Sequence, residues 1–221
     1  MFSQIIALLE KDLKSEYRLR YSLTAIFLFV LISASIIIFC TKNIDINTDT
    51  FAGLLWVVMF FGSMAGLSKS FVSEEERGTA VFLKLMAKPS AIYFGKLLFN
   101  SILCILINFI SLFILFLFIG GVKANSFGLL IIVIILSSIG LASTSTIISA
   151  IIAKASSKNA LFPVLSAPAL MPLVITGVES TVMALDGCPL NEIKNNLIIM
   201  LGFSGAVVAV SYILFDIIWE E

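Results

Sequence analysis

The sequence predicts an all-α integral membrane protein with six transmembrane helices, and three observations carry that prediction. Residues of the AVILMFWYC set make up 60% of the 221-residue chain, against about 45–50% in an ordinary soluble protein. Charged residues are 13%, about half the usual share, and mean hydropathy is +1.12. That leaves too little polar side chain to coat a water-facing surface. Third, six apolar stretches reach the ~20 residues a helix needs to cross roughly 30 Å of hydrocarbon. They run over 22–40, 51–68, 97–119, 127–153, 160–178 and 197–219, and only the last contains a charge, Asp216. A β-barrel would show short segments of alternating polarity. Runs such as Ile110 to Ile119 and Leu129 to Leu136 are continuous instead.

The same counts exclude function classes. Fourteen Lys and Arg balance fourteen Asp and Glu, so no net charge draws nucleic acid. The chain has no histidine, which removes His proton shuttles, Ser-His-Asp triads, the common zinc sites and proximal-His haem ligation. Three cysteines far apart in sequence make neither a disulfide framework nor a CxxC metal site. Cys40 and Cys188 would both lie on the outer side, where a disulfide can persist, and whether they pair stays open.

The first 21 residues place Phe2, Ile5, Ile6, Leu9, Leu13 and Tyr17 at three- and four-residue steps, with Lys11, Asp12, Lys14, Arg18 and Arg20 on other faces. This pattern predicts a helix lying in the membrane interface. It is not a secretory signal, because its charges lie within an amphipathic stretch and no cleavage site follows a short apolar region. With the N-terminus inside, the inner segments carry eleven Lys and Arg and the outer loops only Lys42, Lys123 and Lys194. The positive-inside bias therefore puts both termini in the cytoplasm, and the chain reads as one transmembrane domain over 1–221.

The inner segment 69–96 is long for a helix–helix connector, which usually takes 2–8 residues. Ser73, Glu74, Glu75 and Glu76 match a capping box, with Ser73 as N-cap. Gly78, after Arg77, permits a tight bend. Thr79 to Ala87 reads as a second short helix with Phe82, Leu85 and Met86 on one side and Lys84 and Lys88 on another. Pro89 then restarts a helix into span three. Such a segment suits the docking of a soluble partner. Span four sets Ser138, Ala142, Ser145 and Ser149 on one face for close helix packing. Gly62 with Gly66 and Gly202 with Ala206 are similar small pairs. Span five carries Pro163, Pro168 and Pro172, which predict a kinked or broken helix and a candidate gate. Intramembrane polar residues are few: Asn108 in span three, which suits a helix–helix hydrogen bond better than a ligand, and Asp216 near the inner end of span six. The stretch Gly62 to Ser70 has the wrong spacing and context for a Walker A motif, so the chain holds no ATPase of its own.

This layout resembles an ABC-2-type exporter permease, and more narrowly the haem exporter protein B (CcmB) family of cytochrome c maturation. The blocks that carry the likeness are Gly53-Leu54-Leu55-Trp56-Val57-Val58, Phe71 to Gly78, Leu85 to Lys96, and Pro163 to Ile175. The resemblance implies a transport subunit of the bacterial inner membrane, present in two copies and driven by a separate CcmA-like ATPase that takes the ATP. That ATPase would dock around Glu74 to Lys88. It further implies a CcmC-like haem-handling membrane protein and the haem chaperone CcmE as partners, with haem as cargo or on those partners and no cofactor assigned to this chain. Whether haem itself passes through the chain is left open. An ABC-2 permease for a glycan, lipid or drug, and a non-ABC membrane assembly factor, are the alternative readings.

Overall fold

The structure, a computed structural model, describes residues 2–19, 21–42, 44–119, 121–154 and 158–220. Arg20, counted above among the inner charges, lies outside the described residues, as does 155–157 of the connector between spans four and five. All regular structure among the described residues is helical: α1 (Phe2–Leu19), α2 (Tyr21–Thr41), α3 (Thr48–Leu67), α4 (Val72–Glu76), α5 (Ala80–Met86), α6 (Pro89–Phe118), α7 (Phe127–Ala153), α8 (Lys158–Asp186) and α9 (Leu190–Glu220). Six helical segments, falling on α2, α3, α6, α7, α8 and α9, are long and apolar enough to cross a membrane. The chain is therefore an all-helical multi-pass membrane protein. Several helices outrun the apolar windows, because backbone bonding continues until something stops it. For α8 the stop is Gly187, at φ +82°. The Cys188 N–H there closes on the Met183 carbonyl at 2.9 Å, a left-handed glycine cap.

The centre of the bundle is α7, which packs against α6, α8 and α9. From Gly140 to Ala150 every residue is buried. Three hydroxyls in this stretch donate back to the preceding turn, Ser143 and Thr144 to the Gly140 carbonyl and Thr146 to the Ala142 carbonyl, which satisfies them away from water. Small residues set the close approaches. A Cβ on Gly140 would stand 2.6 Å from Leu173, and one on Gly177 would fall on the Trp56 ring, whose Nε1 donates to Thr181 at 3.0 Å. Gly62 and Gly66 let α3 meet Ile107 of α6 together with Val30 and Ile26 of α2, as the small-residue spacing predicts. Gly202 and Ala206, in contrast, are exposed on α9 and face away from the bundle.

Of the kinked or broken helix expected for span five, the break does not occur. The α8 helix runs unbroken through Pro163, Pro168 and Pro172. All three prolines lie on its exposed side, while Phe162, Ser166, Leu170, Leu173 and Gly177 form the buried stripe. That stripe holds one continuous contact with α7 and α3. Ser166 and Thr176 donate to the Phe162 and Pro172 carbonyls, the kind of side-chain bonding by which membrane helices tolerate proline. Pro168 lines an open apolar groove of about 540 Å³ between α8 and α3, with Trp56, Phe60, Phe61 and Met171 among its walls. Cys40, Cys104 and Cys188 are all free.

Candidate functional site

The connector between α3 and α6 folds as two short helices. The α4 helix starts at Val72 with Phe71 in the capping position and no side-chain cap bond. Ser73 lies inside the helix, so the predicted capping box does not form. The reason is that a different group serves the helix start: Ser149 of α7 accepts the Phe71 N–H at 3.1 Å and donates to the Ser68 carbonyl at 3.1 Å. The central helix thereby holds the junction between α3 and α4. Gly78, at φ +68°, makes the predicted bend. Pro89 opens α6 after Lys88, at the first helical position where its missing N–H costs nothing.

Glu74 does not point at solvent. It is 8% exposed, and its Oε1 accepts from Lys11 of α1 at 2.7 Å and Lys96 of α6 at 2.8 Å. The Thr79 hydroxyl donates to its other oxygen. Lys96 also reaches Asp12 of α1 at 3.0 Å. Burial pushes the Glu74 carboxyl up, but the Lys96 ammonium and the bonds from Lys11, Lys96 and Thr79 outweigh it and hold the group down at about 2. Burial likewise pulls Lys11 down, and its bond to Glu74 reverses the direction. One carboxylate thus ties α1, α4 and α6 together. Beside it, Phe71 meets Phe215 and Trp219 of α9 at 5.4 and 5.5 Å, and Tyr93 of α6 meets Phe215 at 5.4 Å.

The second helix, α5, has the opposite construction. Ala80 and Leu83 face the bundle and are buried. Val81, Phe82, Leu85 and Met86 are 63%, 67%, 80% and 78% exposed. Lys84 lies 5.8 Å above the Trp219 ring, and Glu76, Arg77 and Lys88 are exposed around the apolar patch. Four large apolar side chains on a short helix between two spans form an uncovered patch with a charged rim, and such patches mark interaction surfaces.

The remaining polar candidates fall elsewhere. Asn108 is fully buried and sits between three helices. It accepts from Ser63 of α3 at 3.3 Å and donates to Ser138 of α7 at 2.9 Å. These are the helix–helix bonds expected of a lone membrane asparagine. Asp216 is exposed and makes no ion pair among the described residues. Sequence reasoning missed Lys11, Asp12 and Lys96 as parts of the connector's anchor. The available signal was spacing: Asp12 follows Ile5 and Leu8 at helical steps, on the face that packs on α6, where Gly95 lets Leu8 come within 3.0 Å of a would-be Cβ.

The family model of the CcmB protein matches residues 3–216. The chain belongs to the CcmB family. No curated protein matches it. A CcmB protein is a membrane permease component of haem export for cytochrome c maturation, within an ABC transporter. The six spanning helices of this CcmB-family chain fit that part.

Proposed function

We propose that this chain is the permease subunit of an inner-membrane ABC transporter whose separate CcmA-like ATPase grips α5. The observation that carries the reading is the exposed apolar side of α5, with Phe82, Leu85 and Met86 at its centre. Docking would bury this patch against the ATPase, with Glu75, Glu76, Arg77 and Lys88 as its polar rim. The contribution of each large side chain is about 1.5–3 kcal/mol of burial. Glu74 acts differently in this account, as an internal tie. A push on α5 passes through Gly78 into α4, then by Glu74 to α1 and α6 and by Phe71 to α9. Work done by ATP at the partner thus reaches three helices of the bundle through one short segment.

In this reading both termini are cytoplasmic and two copies of the chain pair with two ATPase subunits. The CcmC-like haem-handling protein and the chaperone CcmE are the further partners, and release of the haem-loaded chaperone is the step that the cycle drives. The chain acts mechanically, with haem as cargo or on its partners. Replacing Phe82 and Met86 together by Asp tests the docking. Co-purification of the co-expressed ATPase is expected to fall at least about tenfold, since two apolar anchors exceed the ~1.4 kcal/mol that a factor of ten requires, with membrane insertion unchanged. Undiminished recovery of the ATPase would refute the coupling role.

A further inference from the structure

A cavity of about 220 Å³ opens between α1, α6 and the junction of α3 with α4, with Glu16, Lys69, Ser70, Arg77 and Asn100 among its lining. Four oxygens in this lining are buried and have no hydrogen-bond partner; Asp12 Oδ2 faces the Lys96 ammonium at 3.0 Å, which leaves Glu16 Oε1, Ser70 Oγ and Asn100 Oδ1. Asn100 is 1% exposed, and its orientation is fixed by chemistry. The Thr146 hydroxyl spends its proton on the Ala142 carbonyl, so it can only accept from Asn100 Nδ2, at 2.8 Å. Asn100 Oδ1 is thereby left as an acceptor in the lining. Buried acceptors without donors are costly, about 1–3 kcal/mol each, and three around one cavity point to a donor-rich ligand.

The cavity does not end in protein. It shares Glu16, Phe99 and Leu103 with an apolar groove of about 160 Å³ that continues past Leu13, Ile102 and Leu106 along the spanning helix α6. Among the described residues, Lys69 and Arg77 make no ion pair, whereas Lys11 and Lys96 are engaged by Asp12 and Glu74. The lining therefore offers two unspent cations beside a cluster of acceptors, and a greasy channel leading away. Three basic side chains in the lining argue against a bare metal cation.

We propose that this is a binding site for an aminophospholipid of the leaflet on the α1 side. Its phosphate rests on Lys69 and Arg77, its primary ammonium donates to Glu16, Asn100 and Ser70, and one acyl chain lies in the groove. The ammonium supplies the N–H donors that the three oxygens need, and a trimethylated headgroup has none to give. A lipid so held would wedge α1 against α6 next to the Glu74 tie.

The test is native mass spectrometry of the purified full chain titrated with phosphatidylethanolamine, phosphatidylcholine and phosphatidylglycerol of matched acyl chains. Phosphatidylethanolamine is expected to bind about tenfold tighter than the other two, the size of one charge-assisted hydrogen bond. Glu16→Gln should erase that preference, and Lys69→Ala should weaken the ethanolamine and choline lipids alike. Leu106→Trp, which fills the groove without touching the headgroup site, should weaken all three. Glycerophosphoethanolamine, which has the headgroup without chains, should not displace the lipid at equal concentration. Equal affinity for the ethanolamine and choline lipids, an advantage for the glycerol lipid, a preference that survives Glu16→Gln, or displacement by the chain-free headgroup would each overturn the proposal.

Discussion

The two short helices of the connector are built in opposite senses. The α4 helix is rich in carboxylates, yet the first of them, Glu74, is buried and bonded to two lysines from other helices. The α5 helix is apolar, yet Phe82, Leu85 and Met86 stand in the open. Water should favour the reverse in both. A buried carboxylate is tolerable only when paired, and an exposed apolar patch of this kind is best explained by a covering partner. The contrast separates an inward anchor from an outward handle, joined at Gly78.

That contrast can be broken most severely at the anchor. Glu74→Ala leaves the Lys96 ammonium with Asp12 alone in a buried site, and removal of one partner from such a pair costs about 3–5 kcal/mol. Thermal unfolding in detergent should show a large loss, and a melting temperature equal to that of the parent would mean that the tie carries no load. The same group gives a pH signature. Because the folded state holds Glu74 at about 2, below its ordinary 4.5, its stabilisation is complete above pH ~4.5 and is lost as the pH falls toward 2. Unfolding midpoints should decline in that window for the parent, and Glu74→Gln should flatten that part of the decline. A smaller effect is expected at the helix junction. Ser149→Ala strips the Phe71 N–H of its buried acceptor, at a cost of about 1–3 kcal/mol, which a denaturation curve would register. The handle should respond least. Leu85→Ser removes no packed contact, so stability should stay within about 0.5 kcal/mol, and a larger drop would mean that α5 is held by the bundle after all.

The spans were legible because the hydrocarbon thickness imposes a length and an apolarity that soluble helices do not need. The α5 helix was legible too, since Phe82, Leu85 and Met86 repeat at helical steps between a glycine and a proline. The anchor was not. Asp12 reads as one more charge on an amphipathic leader, and its partner Lys96 lies 84 residues away, so only the packing of α1 on α6 reveals why that face carries a carboxylate. Ser73 misled for a related reason. The local capping pattern is present, but Ser149 of α7 already accepts the Phe71 N–H at the start of the helix. The break expected at the prolines of α8 did not follow because their rule concerns a lost backbone bond, whereas the continuity of α8 is set by the packed stripe on its other side.

The central claim is that α5 is the surface held by the ATPase, and site-specific photo-crosslinking in membranes tests it most directly. A photoreactive phenylalanine analogue is placed at Phe82, Leu85 or, as an outward control on α9, Ile213, with the ATPase co-expressed. The account predicts ATPase adducts from positions 82 and 85 and none from 213. Adducts absent from α5, with the ATPase captured from another surface of the chain, would contradict it.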